Sequence, residues 1–217
     1  STTGRRARRD IVVAFVADEE DTGAEGAHWL VDDYPELFAG CAAAIGESGG
    51  YTYRTRAADG SPVHLYPIAT AERGTAHLRL TATGRAGHGS RRNDANAVTR
   101  LVTTLNRLAA HRWPASLTPT VAAFLERTCA ALGVQPDLSD LDTTLARIGP
   151  AAALVENTVR NSTTPTVLNA GYKVNVIPST AHAEVDVRVL PGAVDTVLST
   201  IDSLLDEGVT REILTRQ

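Results

Sequence analysis

An acidic stretch, Asp18-Glu19-Glu20, directly follows an apolar run of residues 11–17 that is typical of a buried strand. A second apolar run, residues 42–45, is followed closely by Glu47. If both runs are strands of one sheet, their ends bring the glutamates of both segments to the edge where α/β enzymes hold their active sites. Carboxylates at such close quarters repel one another unless a cation lies among them, and Zn²⁺ accepts carboxylate and imidazole ligands. The spacing therefore favours a divalent-metal site at this edge.

The same acidic stretch has a second interpretation that involves no metal. Residues 24–33 have the pattern of a helix, and acidic side chains just before a helix can cap its N-terminus. In that case the acidic stretch would be a solvated loop. The residues alone leave both interpretations open.

A serine nucleophile is a third option, because Gly46-Glu47-Ser48-Gly49-Gly50 matches the G-x-S-x-G elbow of serine hydrolases. That elbow leads from a strand directly into a helix, whereas residues 51–55 here have the composition of a strand. Glu47 is therefore a better candidate than Ser48 for a functional residue in this segment. Inactivation by a serine-directed phosphonate would support Ser48, and inactivation by a chelator would support a metalloenzyme.

Two further polar residues lie in unusual surroundings. His88 stands among glycines in the segment 84–90, and glycines permit close backbone approach, but the segment lacks the Gly-Lys-Ser/Thr ending of a phosphate loop. Asn175 lies inside an apolar connection, residues 174–177. Either residue alone could be an ordinary loop residue, since asparagine is common in turns and a single histidine has no specific signal.

Composition excludes several classes of function. The chain has 217 residues and a net charge of −4, so it lacks the broad basic surface of a nucleic-acid-binding protein. No apolar run is long enough to cross a membrane, and the arginine-rich residues 5–9 do not lead into a signal peptide, so we expect a cytoplasmic protein. Cys41 and Cys129 lack metal-type spacing and are expected to be buried, reduced thiols.

The first part of the chain has the pattern of a βαβ unit. Strand, helix and strand are predicted at residues 11–17, 24–33 and 42–45, which implies a parallel pair with a right-handed crossover. Parallel strands are normally covered on both faces within a larger sheet, so we expect this segment to be part of a larger α/β domain. Residues 51–66 then predict a hairpin around an Asp-Gly turn.

The second part of the chain predicts a ferredoxin-like domain. Its strand and helix patterns lie at about residues 74–83, 96–110, 166–170, 181–190, 194–205 and 210–214. When a helical pair at 116–148 is left out, their order is βαββαβ, the split βαβ arrangement. Such a domain has an exposed edge strand that could pair with a second copy.

Taken in order, these motifs resemble the aminoacylase, glutamate carboxypeptidase and succinyl-diaminopimelate desuccinylase family of dinuclear zinc hydrolases, which is peptidase family 20 of the metallopeptidases. The order is Asp-Glu-Glu, Gly-Glu, Gly-His-Gly-Ser, Asn-Val-Ile-Pro-Ser and Asp-Val-Arg-Val-Leu-Pro-Gly. The likeness extends from Asp10 to about Leu214. It implies an α/β class, with part of a zinc-peptidase-like catalytic domain at residues 1–72. It also implies a ferredoxin-like lid and dimerisation domain at 73–217 with a helical insertion at about 116–149.

The resemblance implies roles for the three glutamates. Glu19 matches the general base, and Glu20 and Glu47 match ligands of the two Zn²⁺ ions, for which Co²⁺ or Mn²⁺ could substitute. A water that bridges two such ions is acidified, and a nearby carboxylate can take its proton as it attacks an amide carbonyl. The implied reaction is hydrolysis of the amide bond of a dipeptide or an N-acyl amino acid.

In the second domain, the resemblance implies that His88 reaches the partner's active site in a homodimer and helps to stabilise the tetrahedral oxyanion. Asn175 matches an asparagine that assists there. Arg188 matches the arginine that holds the substrate carboxylate, a role that suits the planar fork of donors on a guanidinium group.

The departures from the family pattern concern the metal ligands. The family's first metal histidine and its bridging aspartate lie upstream of the segments present here, and its last metal histidine follows the second domain. None of the six histidines of this chain stands in those contexts. We therefore expect the central part of a longer enzyme, which taken alone binds zinc poorly and does not turn over substrate. The alternative is a non-catalytic module that dimerises or binds without a functional metal centre.

Overall fold

The computed structural model describes residues 9–19, 23–46 and 50–216. The chain divides into two compact units, residues 1–48 and 49–217. Helices occur in both units, and every strand within the described residues belongs to the second unit. The mixed α/β class predicted from the sequence is confirmed.

The first unit contains the helix predicted at residues 24–33. A π-helical turn, Ala24–His28, continues directly into the α-helix α1, Trp29–Asp33. The ring of Trp29 packs edge-on against Tyr34, with 4.9 Å between ring centroids. A 3₁₀ helix, Pro35–Phe38, follows and ends the helical segment of this unit.

The two strands predicted on either side of this helix do not form. Residues 11–17 and 42–45 lack strand pairing, and apolar side chains in or beside them are exposed, Phe15 to 96% and Ile45 to 97%. A parallel strand needs a hydrogen-bonding neighbour and cover on its faces, and without them its amide groups bond to water. The βαβ prediction for residues 11–45 is therefore wrong in its strands and correct in its helix.

The second unit begins with the predicted hairpin. Strand β1, Tyr53–Arg56, pairs antiparallel with β2, Pro62–Leu65. Gly60 in the turn has a φ of 85°, which glycine adopts at little cost. Hydrogen bonds from the hydroxyl and the amide of Ser61 lower the pKa of Asp59, so this carboxylate is charged and holds the turn at neutral pH.

Six more strands follow within residues 66–216: β3 Gly74–Thr83, β4 Gly87–His88, β5 Ser162–Ala170, β6 Val176–Ile177, β7 Thr180–Val189 and β8 Val209–Arg216. Four of them form one antiparallel sheet in the order β5-β7-β3-β8. The two-residue strands β4 and β6 pair with each other in a separate short ladder.

In the same described range, four α-helices accompany these strands: α2 Ala97–Ala110, α3 Pro119–Leu132, α4 Leu141–Ile148 and α5 Val194–Leu204. When α3 and α4 are left out, the order of elements from β3 to β8 is βαββαβ, apart from the short β4–β6 ladder. The ferredoxin-like prediction is therefore confirmed. No helix within the described residues is long and apolar enough to cross a membrane.

The main core lies between the sheet and the helices α2 and α5. Leu78 and Leu80 of β3 meet Leu101 of α2 and Ile201 of α5 there, and all four side chains are almost completely buried. Successive side chains of a strand point to opposite faces of the sheet. The predicted alternation of apolar and polar residues along β3 and β7 therefore places every second residue in this core.

The helical insertion forms a second core together with the hairpin. Leu125 and Cys129 of α3 and Ile148 of α4 are buried there, and Tyr53 and Leu65 of the hairpin pack against this cluster. Burial raises the pKa of the Cys129 thiol, which keeps the thiol protonated and unreactive, as expected from the sequence. Cys41 is exposed, so the prediction of burial is wrong for that residue. The insertion therefore rests on the hairpin, and the main core is formed without it.

A bidentate ion pair joins α5 to β8. Arg211 contacts both carboxylate oxygens of Asp202, with Nε–Oδ1 at 2.7 Å and Nη2–Oδ2 at 2.8 Å. These hydrogen bonds lower the pKa of Asp202 and raise that of Arg211. Because the folded-state pKa of Asp202 is depressed, its stabilising contribution is present above the ordinary aspartate pKa and is lost as the pH falls through the folded-state value.

We expect Asp202→Asn to lower the free energy of unfolding by about 0.5–1 kcal/mol at pH 7, since the carboxylate is partly exposed and solvent screens the pair. The difference in the free energy of unfolding between this variant and the parent protein should shrink as the pH is lowered below about 4. Asp94→Asn is the control, because the Arg92–Asp94 pair is far more exposed. Urea unfolding across pH measures both variants, and a loss independent of pH would contradict the assigned ion pair.

Gly84 lets the chain leave the sheet next to the start of α2. Its amide donates to the carbonyl of Ser179 (2.8 Å), which extends the pairing of β3 with β7 by one step. A Cβ atom at this position would collide with the backbone of Ala95 and Ala97. The close approach holds the segment 84–90 against the beginning of α2.

We expect Gly84→Ala to lower the free energy of unfolding by about 1–3 kcal/mol, because the new methyl group must displace backbone atoms. Gly87→Ala is the matched control, since a Cβ there would meet nothing within 4 Å. That substitution should be neutral or slightly stabilising, as alanine restricts the unfolded chain. Denaturant unfolding compares the two variants, and equal effects would argue against the close approach at Gly84.

Candidate functional site

The structure brings two of the predicted functional segments together. In the ladder of β4 with β6, His88 lies opposite Val176. The amide of Gly89 donates to the carbonyl of Asn175 (2.9 Å), so the pairing continues beyond the ladder. His88 and Asn175 are both exposed at the end of the sheet where β3 finishes and β7 begins. Two sequence motifs far apart in the chain therefore form one exposed surface.

The ring of His88 is oriented by its own loop. Its Nδ1 atom lies 2.8 Å from the Ser90 hydroxyl and 3.3 Å from the Ser90 amide nitrogen. A backbone amide can only donate, so Nδ1 accepts a hydrogen bond and the neutral ring carries its proton on Nε2. His88 thus presents an N–H donor at the surface, as stabilisation of an oxyanion requires.

Of the three glutamates predicted for the metal site, only Glu19 belongs to the described residues. It is exposed and lies in a turn directly after the apolar run. Glu20 and Glu47 lie outside the described residues, as does the alternative nucleophile Ser48. Their predicted roles stay predictions.

Asp18, beside Glu19, contacts the start of the helical segment of the first unit. Its carboxylate accepts a long hydrogen bond from the amide of Glu25 (3.4 Å). Its backbone has a φ of 60°, a conformation that is uncommon outside glycine and relatively frequent for aspartate. This geometry agrees with the helix-capping interpretation for Asp18.

The described residues do not by themselves fit a dinuclear zinc centre. Within residues 9–19, 23–46 and 50–216, no three histidine, cysteine, aspartate or glutamate side chains are grouped as a metal site needs. A catalytic zinc ion has three protein ligands and one open position. No catalytic step through a metal follows from these residues.

Arg188 lies on β7, and its guanidinium group is already paired. Nε and Nη2 contact the carboxylate of Asp186 at 2.9–3.2 Å, and Nη1 donates to the hydroxyl of Thr75 (3.0 Å). His77 Nε2 lies 3.8 Å from the same carboxylate. These contacts join β7 to β3 on the sheet face that points away from the main core, because the neighbours Val187 and Val189 point into it.

Arg188 is far from His88. Thr83, at the end of β3 that leads to His88, pairs with Thr180, whereas Thr75 at the other end pairs with Arg188. Arg188 is eight steps along β7 from Thr180, which is about 26 Å at roughly 3.3 Å per residue. The structure therefore does not bring the predicted oxyanion donor and the predicted carboxylate-binding residue together within one chain.

Arg73 is a candidate that the sequence analysis missed. It is half-buried just before β3, and its Nη1 atom lies 3.4 Å from the hydroxyl of Ser162. Burial, together with the charge of nearby Arg188, lowers the pKa of Arg73. A single arginine before a strand has no sequence signal, because only the pairing of β5 with β7 places Ser162 beside it.

Curated relatives match nearly the whole chain but are much longer. Aminoacylase-1 from Homo sapiens is 28% identical over 215 residues, which is 96% of this chain and 42% of the human protein. The N-fatty-acyl-amino acid synthase/hydrolase of Xenopus tropicalis is 27% identical over 220 residues, 97% of this chain and 42% of that protein. The chain therefore spans less than half the length of these relatives.

Solved structures match part of this chain at low sequence identity. Human carnosine dipeptidase 1 has 13% identity and a TM-score of 0.43, and the match covers 66% of this chain and 37% of that chain. The M20 family metallo-carboxypeptidase of Sulfolobus solfataricus has 15% identity and a TM-score of 0.41, covering 67% and 44%. At this identity and score, the likeness does not establish a shared activity.

The family assignment comes from the sequence of the second unit. Its match begins just before β3 and ends at the start of β8, so it spans the strands from β3 to β7, the helices α2 to α5 and the helical insertion. Residues 70–210, well over half of the chain, match the M20 peptidase dimerisation domain, and the chain therefore belongs to that family.

Proposed function

We propose that this chain contributes the lid and dimerisation domain, and part of the catalytic domain, of a metal-dependent amidohydrolase or exopeptidase. Its substrate is a dipeptide or an N-acyl amino acid, which the names of the aminoacylase and N-fatty-acyl-amino acid relatives support. The proposed domains are residues 1–72 and 73–217. The proposed location is cytoplasmic, as predicted from the sequence.

The observation that carries this proposal is the donor at His88. The Ser90 amide donates to Nδ1 of His88, so the neutral ring carries its proton on Nε2, and the Gly89 amide bridges this loop to Asn175. When water attacks an amide carbonyl, negative charge develops on the carbonyl oxygen, and a preoriented N–H donor stabilises it. In this mechanism Asn175 assists His88, and Glu19 takes the proton of the water and passes it to the leaving nitrogen.

The proposed metal is Zn²⁺, with Co²⁺ or Mn²⁺ as substitutes, and its proposed ligands include Glu20 and Glu47. When bound, the metal supplies an acidified water as the nucleophile. The histidine ligands that the resemblance requires have no match in this sequence, so the proposal includes ligands from flanking sequence. Reading the coding DNA on both sides to its own start and stop codons tests that part of it.

A homodimer explains how residues at opposite ends of the sheet can act on one substrate. An extended dipeptide spans about 7 Å, whereas His88 and Arg188 lie at sheet ends about 26 Å apart. One small substrate cannot contact both ends of a single chain. We therefore propose that each active site takes His88 and Asn175 from one copy and the Arg188 end of the sheet from the other.

The edge strand β5 is the proposed contact between the two copies. Among the strands that the structure describes, β5 pairs with β7 alone, and Val167 and Leu168 are exposed along it. Pro165 and a register shift interrupt its first half, so its second half is the part able to accept another strand. A second copy of β5 in antiparallel orientation would satisfy these amide groups symmetrically.

In the protein expressed with its flanking coding sequence, we expect His88→Ala to lower kcat for N-acetyl amino acids or dipeptides by about 10²–10³, because the oxyanion loses a donor. His64→Ala is the matched control, an exposed histidine in β2. Steady-state kinetics with added Zn²⁺ measures both. Unchanged kcat in His88→Ala would refute the proposed role, and no turnover by the parent protein with any of the metals would favour the non-catalytic module.

The same assay distinguishes a shared active site from a site within one chain. A dimer mixed from His88→Ala and Glu19→Ala subunits contains one active site with an intact Glu19 and an intact His88 only if the two residues come from different copies. We expect the mixture to regain activity that neither variant has alone. Failure to complement, with mixed dimers demonstrated, would mean that both residues act within one chain.

We expect Leu168→Lys on β5 to shift the dimer towards monomer, because it places a charge at the proposed strand-to-strand contact. Ile213→Lys is the matched control, an exposed apolar residue on the other edge strand, β8. Sedimentation equilibrium of this chain measures the two variants. Dissociation by Ile213→Lys alone would assign the interface to β8 and overturn the proposal for β5.

A further inference from the structure

A groove of about 680 Å³ lies where α2 ends and β5 begins. It is formed by the last turn of α2, the segment that follows this helix, one residue of α4 and the residues that lead into β5. A volume of this order suits a small organic molecule. The lining includes the polar or aromatic side chains of His111, Arg112, Trp113, Asp142, Arg160 and Asn161.

The groove is separate from the outward face of the sheet that carries Arg188. Ser162 and Thr163 both line it, and they lie on opposite faces because successive side chains of a strand alternate. Ser162 pairs with Arg188, whereas Thr163 pairs with Val187 of the main core. The indole Nε1 of Trp113 donates to the Thr163 hydroxyl (3.3 Å) on this helix side of the sheet. The groove is therefore not part of the proposed active site.

One ring nitrogen of His111 is buried without a partner. Its Nε2 atom forms no hydrogen bond with any residue that the structure describes. The indole of Trp113 packs against the imidazole at 80°, with 4.6 Å between ring centroids, but the indole N–H donates to Thr163. Buried polar atoms nearly always have a hydrogen-bond partner. Because His111 lines the groove, a molecule bound there can supply that partner.

The other polar groups of the groove are mostly donors. The side-chain oxygen of Asn161 accepts from the amide of Leu190 (2.7 Å), while its NH2 group has no partner in the described part of the chain. Arg112 forms no ion pair with a described carboxylate. Asp142 is the only acid among the described lining residues, and Arg160 Nη2 already contacts it at 2.8 Å. A ligand that fits must therefore bring acceptors and negative charge.

Apolar side chains form the rest of the groove. Leu108 belongs to the main core, Trp113 packs against that core, and Pro114 and Ala115 follow along the chain. An apolar and aromatic wall with a few polar groups is typical of sites for small organic ligands. An inorganic anion would satisfy the donors and leave this wall uncovered.

We propose that the groove binds a small organic anion. Its carboxylate or phosphate group accepts hydrogen bonds from His111 Nε2, Asn161 and the two arginines, and its flat apolar part covers Trp113 and Pro114. Asp142 on α4 holds Arg160 in place by their ion pair. The helical insertion therefore takes part in this site.

The test is an NMR titration of the intact chain with benzoate, phenyl phosphate, inorganic phosphate and benzamide, the uncharged match of benzoate. The chain has two tryptophans, so the Trp113 indole signal is the one that persists in Trp29→Phe. We expect benzoate or phenyl phosphate to shift this signal and benzamide to leave it unchanged. A shift with benzoate alone would assign the groove to carboxylates, and one with phenyl phosphate alone to phosphate esters.

Substitution of the arginines tests their contacts with the anion. Arg112→Gln and Arg160→Gln should each raise Kd about tenfold, as expected for the loss of hydrogen bonds to a charged group. Arg112 is exposed, so its variant tests the site even if Arg160→Gln fails to fold. Arg127→Gln is the matched control, because it makes the same change of charge at an exposed position of α3 outside the groove.

His111→Phe distinguishes ligand binding from a structural role. Phenylalanine keeps an aromatic ring beside Trp113 and removes the unpartnered nitrogen. We expect Kd to rise about tenfold, while the urea midpoint of the free protein stays the same or rises because an unpaired buried polar atom is lost. A nitrogen with a structural role alone would give the reverse, a lower urea midpoint with unchanged Kd.

Three results would overturn the proposal. Equal shifts with benzamide would show that no anionic group is recognised, a result that does not depend on any variant. Equal Kd values for inorganic phosphate and phenyl phosphate would show an adventitious ion only. No shift with either organic anion, or unchanged Kd in both arginine variants, would exclude the groove as the binding site. None of these measurements involves hydrolysis, so they are independent of the assay of His88→Ala.

Discussion

The antiparallel ladder between β3 and β7 is the constraint on which the second unit depends. Its register runs without a shift from Gly74 opposite Val189 to Thr83 opposite Thr180. The outer strands β5 and β8 are placed by pairing with this ladder, and each tolerates one register shift. Backbone hydrogen bonds between distant parts of the chain thus fix where both ends of the sheet lie. The candidate sites are at those ends, so their geometry follows from the ladder and not from the loops alone.

The two faces of the ladder contribute differently to the stability of the second unit. The inward face carries Leu78 opposite Val185 and Ala82 opposite Ala181, all buried under the helices. The outward face carries ion pairs such as Arg79 with Glu184 (2.7 Å), and partly exposed pairs of this kind contribute about 0–1 kcal/mol each. Stability therefore comes mainly from the inward face. The outward face is free to carry polar groups that recognise a ligand, and this is where Arg73 and Arg188 lie.

The second unit could be predicted from the sequence because its signals are local. Alternation along β3 and β7 and helical spacing in α2 report burial directly, and these elements form close to their expected bounds. The strand prediction for residues 11–17 was wrong. An apolar run is typical of a strand within a sheet, but it does not show that a partner strand is present. The contact of the His88 loop with Asn175, like that of Arg73 with Ser162, depends on pairing between distant segments, which spacing along the chain does not encode.

The acidic stretch illustrates why a motif becomes a site only within a fold. A carboxylate binds a divalent metal tightly when the fold holds several ligands at fixed distances, since binding must otherwise supply the free energy of ordering them. Glu19 is exposed and follows an unpaired run in which Val13 and Phe15 are also exposed. Pairing that run as a strand would bury its apolar side chains, at about 25 cal/mol per Å² of apolar surface, and would fix the backbone next to Glu19. Burial of the apolar run and ordering of the neighbouring carboxylates are therefore coupled. An interaction that buries the run as a strand also fixes the backbone at Glu19.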